Sequence, residues 1–195
     1  MNKKVIYISI LITMAILSIV LISYYCARIT ISCREVNDLV VQNNTKGLIK
    51  LATGDKACSK QAQVELAYLY YNQYKLFNLS KEKGVKLSLS WAHKAASSGY
   101  AEGEYALGSI YLYDDPKVHD VKKGIFYLKQ AAEKDHISAL DTLSLIYLEG
   151  YLTNEGIKTN KIIGCQYYNK YKKLGGARRL NHPDCLNNET EVDSK

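Results

Sequence analysis

The sequence predicts an all-α fold: about three stacked pairs of antiparallel helices with helical caps, preceded by one transmembrane helix. Three observations carry that expectation. Residues 90–112, S-W-A-H-K-A-A-S-S-G-Y-A-E-G-E-Y-A-L-G-S-I-Y-L, return 36 residues later as residues 126–148. Six of the 23 paired positions are identical, including the Ala-Ala doublet and the trailing Leu…Ile-Tyr-Leu, so a shape is repeated while most letters change. Apolar and small residues in both copies recur at spacings of three and four, which makes one face of a helix. Residues 5–25 then form a run of 21 without a charge.

At 1.5 Å per residue that run spans ~31 Å, about one hydrocarbon core. It is longer than the apolar region of a cleaved signal peptide. The stretch S-Y-Y-C-A-R-I at 23–29 also offers bulky Tyr where a peptidase takes small residues, which argues for an uncleaved anchor. Lys3 and Lys4 precede the run while Arg28 and Arg34 follow it, and the positive-inside bias favours a cytoplasmic segment 1–4 with the remainder exported.

Residues 31–59 read as an N-terminal cap of two short helices broken at Asn43-Asn44. Repeat 1 is then expected at 60–100, repeat 2 at 101–136 and repeat 3 at 137–176. Each pairs a helix A with a helix B. Helix A aligns on Leu-x-x-x-Tyr: Leu66…Tyr70, Leu107…Tyr111 and Leu143…Tyr147, with Ala67, Gly108 and Ser144 after each Leu. Four residues upstream stand Ala62, Gly103 and Ala139. Helix B aligns on Trp91, Tyr127 and Tyr167, at offsets of 36 and 40, with the small residues Ser88, Gly124 and Gly164 three places earlier. Eight places later Gly99, Asp135 and Gly175 should stop the helix. A helical Gly costs about 1 kcal/mol relative to Ala, so Gly108 and Gly124 are expected where another helix comes close.

Between helices A and B the linkers differ. Pro116 and Asp120 suit a turn and an N-cap in repeat 2, and Asn160 is the expected cap in repeat 3, whose linker is longer by four. Residues 177–186 start a C-terminal cap that meets Pro183, and the polar tail 187–195 is expected to be disordered. One continuous domain over roughly 31–186 follows.

Composition is 47% apolar and 23% charged, as in globular chains, with 17 Tyr against 2 Phe. The whole chain carries +7; without Lys3, Lys4 and Arg28 it keeps 23 basic against 19 acidic residues, about +4 and without runs of like charge. That pattern argues against nucleic acid, whose binders gather Lys and Arg on one stripe. Four cysteines in an oxidising compartment allow three pairings. Cys33–Cys58 with Cys165–Cys185 is the expected one, since each bond would tie a terminal segment onto the body; buried free thiols are the alternative. No Cys or His spacing suits zinc.

The columns together resemble the Sel-one-like repeat family of tetratricopeptide-related α/α solenoids. Its pattern runs Ala…Leu-Gly-x-x-Tyr-x-x-Gly-x-Gly-Val-x-x-Asp…Trp-Tyr-x-Lys-Ala-Ala-x-x-Gly. Repeat 2 supplies A-E-G-E-Y-A-L-G-S-I-Y at 101–111, Val118, Asp120 and Y-L-K-Q-A-A at 127–132. Repeat 3 supplies Y-L-E-G at 147–150, G-I-K-T-N at 156–160 and Y-Y-N-K-Y at 167–171, and repeat 1 supplies W-A-H-K-A-A-S-S-G at 91–99. Repeat 1 lacks the Gly-x-Gly-Val loop, repeat 2 lacks Gly near 114, and repeat 3 lacks Ala-Ala.

No P-loop, Gly-x-Ser-x-Gly or His-Glu-x-x-His is present. His93, His119, His136 and His182 fall in different units, and His93 and His136 occupy variable columns read as solvated. Asp114-Asp115 beside Pro116 read as turn formers. A non-enzymatic chain with no cofactor, metal or small-molecule substrate is therefore expected. The concave face of a solenoid is lined mainly by helix A. Its columns not required for packing hold Gln63, Val64 and Tyr68, then Glu104, Tyr105 and Ser109, then Leu140, Asp141 and Leu145. Tyr70, Tyr111, Tyr147, Tyr127 and Tyr167 are expected in the core. Anchored, exported proteins of this family resemble bacterial immunity proteins paired with secreted effectors, type VI lipase effectors among them. The resemblance implies an inner-membrane anchor, a periplasmic repeat domain and a toxin as protein partner. An envelope scaffold and a weak β-lactam hydrolase of the cysteine-rich repeat type are the alternatives. Sequons at Asn43, Asn78 and Asn188 also leave a eukaryotic lumenal adaptor open.

Overall fold

The computed structural model describes residues 14–18, 33–54, 58–113, 118–177, 182 and 185. All regular structure among them is helical. The chain divides into two compact units, residues 1–65 and 66–195. The expected single domain is thus cut inside the first helix of repeat 1.

In the first unit residues 33–41 are helical (α1), and α2 spans Thr45–Ala52. Asn43 between them takes a left-handed conformation at φ 52°, and Asn44 caps α2 by accepting the Gly47 N–H at 2.9 Å. Asn tolerates both roles, and the expected break at Asn43-Asn44 is where the helices part. Val36, Leu48, Leu51 and Ala52 are buried, and Cys33 is bonded to Cys58. Helix α3, Ser59–Asn72, begins in this unit.

The second unit continues with a 3₁₀ turn, Tyr74–Phe77, then α4 (Lys81–Ser97), α5 (Ala101–Tyr113), α6 (Val121–Glu133) and α7 (Ile137–Glu149). A second 3₁₀ turn, Thr153–Glu155, leads to α8 (Lys161–Lys173). Each helix from α4 to α8 packs on the next. Helices α5 and α7 are helices A of repeats 2 and 3, and α4, α6 and α8 are the helices B.

The repeat is visible atom by atom. All three helices B end alike, with the left-handed residue at Gly99 (φ 72°), Asp135 (φ 62°) and Gly175 (φ 86°). The N–H groups of Tyr100, His136 and Gly176 then reach back to the carbonyls of Ala95, Ala131 and Tyr171, the six-to-one bond that satisfies a helix C-terminus. Ser80, Asp120 and Asn160 cap α4, α6 and α8, accepting the N–H three residues on. The Asp120 N–H donates to the Tyr111 carbonyl at 3.0 Å and the Asn160 N–H to that of Tyr147 at 2.9 Å, so linkers of different length close on one bond.

The small columns are close approaches. A Cβ at Gly108 would lie 2.8 Å from Leu128 and 3.1 Å from the Gly124 carbonyl. One at Gly124 would lie 2.6 Å from Leu112, and one at Gly164 2.6 Å from Leu148. Around these contacts Leu112, Leu128, Ala131, Leu140, Leu143 and Ile146 form a buried cluster joined by Tyr147 and Tyr171. Of the tyrosines expected in the core, Tyr70 and Tyr147 are buried, whereas Tyr111, Tyr127 and Tyr167 are half-buried. They sit at the edge because each pairs across its repeat, Tyr111 on Tyr127 with centroids 5.9 Å apart and Tyr147 on Tyr167 at 6.1 Å.

Cys165 is bonded to Cys185, so both disulfides expected from sequence are present. Among the described residues no helix is long and apolar enough to cross a membrane. Apart from 14–18, which are helical and exposed, the expected span 5–25 lies outside the described residues. So do Cys26, Asp114, Asp115, Pro116, Asn188, the tail, and the C-terminal cap except Ala177, His182 and Cys185.

Candidate functional site

Helices α3, α5 and α7 are tied side by side by polar side chains that cross from repeat to repeat. The Tyr68 hydroxyl donates to Glu102 Oε1 at 2.7 Å, and Glu102 Oε2 meets His136 Nε2 at 2.6 Å. His136 is the N-cap of α7, its Nδ1 accepting the Ala139 N–H at 3.2 Å. An acceptor at Nδ1 leaves Nε2 to carry the proton, so the imidazole donates to the carboxylate. The ring also stacks on Tyr105 with centroids 4.7 Å apart and planes at 23°. Hydrogen bonding from His136 holds the Glu102 carboxyl below its ordinary range; partial burial opposes this and the Tyr68 hydroxyl adds to it.

An ion pair lies beside this hydrogen bond. Lys134, in the turn after α6, meets the Glu104 Oε1 at 2.5 Å, and the other oxygen of this buried carboxylate has no partner among the described residues. Lys170 on α8 reaches Asp135 at 2.7 Å and the Ala132 carbonyl at 2.9 Å. The turn after α6 therefore binds its own repeat through Lys134 and the next repeat through Asp135 and the Ala132 carbonyl.

The expected binding columns divide accordingly. Tyr68, Tyr105, Ser109, Asp141 and Leu145 are half-buried on helices A, where a partner could reach them. Val64 and Leu140 are buried core rather than surface, because their helices turn those columns inward. Glu104 is buried as well and serves the pair with Lys134. Gln63, half-buried, lies in the first unit and donates to the Ala52 carbonyl at 2.9 Å.

The solvated reading of His136 needs correction, whereas His93 is exposed. His136 is mostly covered and bonded at both ring nitrogens, because the left-handed Asp135 before it sets it at the start of α7. His93 lies 3.3 Å from the Tyr111 hydroxyl with its ring edge-on to Tyr111 and Tyr127. Partial burial and then nearby Lys123 lower its pKa from 6.5. Glu102, Lys134 and His136 were not singled out as site residues from sequence; their signal was position, flanking the turn that ends each helix B.

A cleft of about 380 Å³ lies elsewhere, lined by Tyr147, Leu148, Glu149, Thr159, Lys161, His182 and Cys185. His182 Nε2 is 3.2 Å from Glu149 Oε1, within ion-pair reach but without hydrogen-bond alignment. Among the described residues no group of three or more His, Cys, Asp or Glu could hold a metal ion.

No family model matches the chain. A sel1-like repeat-containing protein of Acanthamoeba polyphaga mimivirus is 28% identical over 92 residues, covering 45% of this chain and 18% of that protein. Over that stretch the chain is similar in sequence to a Sel1-like repeat protein. The crystal structure of a Sel1 repeat protein from Oxalobacter formigenes superposes with a TM-score of 0.54 at 23% identity, over 74% of this chain and 55% of that one, which extends the likeness to the fold. The chain thus spans less than two thirds of either Sel1-like relative. An immunity protein of Pseudomonas aeruginosa reaches a TM-score of 0.48 at 18% identity, over 80% of this chain and 63% of that one.

Proposed function

We propose that this chain is a protein-binding module, held at the membrane by residues 5–25, that binds and neutralises a toxin acting in the compartment outside the cytosol. The observation that carries the binding reading is the cross-repeat ladder. Tyr68, Glu102, His136 and Tyr105 fix one another on adjacent helices A, so a partner meets side chains whose rotamers are already set. Tyr adds wide contact area with a polar tip, and Ser109, Asp141 and Leu145 extend the same face. The two disulfides suit an oxidising compartment, as an exported domain requires. Occlusion of the toxin needs no reaction centre in the chain itself.

The test is co-purification of the full chain with the product of the neighbouring gene, together with survival of cells that express it. Asp141→Lys and Leu145→Arg on the helix-A face should each weaken the complex about tenfold or more, the scale of a central contact. Absence of both binding and protection removes the immunity reading.

A further inference from the structure

Read along the chain, charge is mixed; sorted by layer, it is not. Successive helices B also touch one another: the His93 ring on α4 is 5.9 Å from Tyr127 on α6, and Lys170 on α8 bonds the Ala132 carbonyl on α6. Helices α4, α6 and α8 hold eleven Lys against Glu82 and Glu133, a net charge of +9. Helices α5 and α7 hold Glu102, Glu104, Asp141 and Glu149 and no Lys or Arg, a net charge of −4. The premise that the basic residues are not gathered therefore fails in the folded chain.

The basic layer is also apolar in places. Lys83, Lys86, Lys94, Lys122 and Lys173 are exposed there, and among them Phe126 is 56% and Ile162 70% exposed. Lys with protruding aromatic and aliphatic side chains is the composition of a face that lies in a lipid interface. Aliphatic Ile162 offers no stacking plane to a base, and these helices contain no Arg, the residue suited to forked phosphate contacts in nucleic acid.

We propose that the layer of α4, α6 and α8 lies against an anionic phospholipid surface, its lysines among the headgroup phosphates and Phe126 and Ile162 at the acyl boundary. The same surface repels the acidic layer, so the domain orients with its helices A, and the partner-binding face, turned to the solvent. The inference rests on the membrane-held reading above, which supplies a bilayer within reach.

The test uses the full chain in lipid nanodiscs, either of phosphatidylcholine alone or with about 40% phosphatidylglycerol, and follows acylation of individual lysines by mass spectrometry. Co-elution with discs of either composition reports the anchor, separately from the lysine readout. Acylation of Lys83, Lys86, Lys122 and Lys173 should slow about threefold or more in the anionic discs and recover when salt is raised from about 0.05 M to about 0.5 M. Phe126→Ser with Ile162→Ser should lose most of that protection at unchanged charge. Equal rates in both lipids overturn the proposal, as does unchanged protection in the double variant. Protection by an added oligonucleotide but not by phosphatidylglycerol overturns it in favour of nucleic acid.

Discussion

Glu102 joins Tyr68 on one helix to His136 at the start of another, and its charge matters to both bonds. Its folded pKa lies below the ordinary 4.5, chiefly through the His136 hydrogen bond. A carboxylate shifted down stabilises the fold above its unfolded pKa, and that contribution disappears as pH falls through the folded value. Wild type should therefore exceed Glu102→Gln by about 1 kcal/mol at neutral pH, less for the part of the carboxylate that stays wet. The difference in melting temperature should close on acidification below 4.5. His93 gives a second titration. Burial and then Lys123 push its pKa below 6.5, so its neutral form stabilises above 6.5 and that contribution fades as pH falls through the lowered value. Its ring resonances should titrate below 6.5, and Lys123→Ala should move the midpoint back up. From sequence these two histidines are only polar residues in variable columns. What fixes them is a left-handed turn before His136 and a neighbouring repeat beside His93, both tertiary facts.

Glycine in a helix tests the packing of elements. Gly108 and Gly124 face each other across α5 and α6, where an added Cβ at Gly124 would meet Leu112 at 2.6 Å and the Gly108 carbonyl at 3.2 Å. Gly→Ala in a free helix gains about 1 kcal/mol. Here Gly124→Ala should instead destabilise by about 1–3 kcal/mol, the usual scale of overpacking, as read from urea unfolding. A net gain would mean that α5 and α6 do not touch at this column. The helices, their caps at Asp120 and Asn160 and their common stop were legible because backbone geometry leaves signatures in residue type. The edge position of Tyr111, Tyr127 and Tyr167 was not, since an aromatic column looks alike whether it fills a core or stacks along its rim. Nor was the inward turn of Leu140 and Val64, because one face of a helix A packs on its own repeat and another on the next.

At the scale of the molecule, the separation of charge escaped a linear reading because helices A and B alternate every twenty residues or so. Acidic α5 and α7 dilute the lysines around them until the layers are assembled. The disulfides were legible in pairing, and each closes a loop within a single unit, Cys33–Cys58 across 25 residues and Cys165–Cys185 across 20. On chain entropy a loop of that length is worth about 3 kcal/mol against the unfolded state, roughly the same for both bonds. Cys165→Ala with Cys185→Ala should therefore speed amide exchange in α8 by about a hundredfold, while the Cys33→Ala pair should do so around α2. Cys165 and Cys185 are buried, so the alanine pair also removes apolar contact. Comparison with the reduced wild type separates that loss from the lost cross-link. If exchange in α8 stayed unchanged on reduction, the bond would add no stability to the last repeat. The C-terminal segment would then be held by its own packing against Tyr168, whose ring meets His182 edge-on at 5.1 Å.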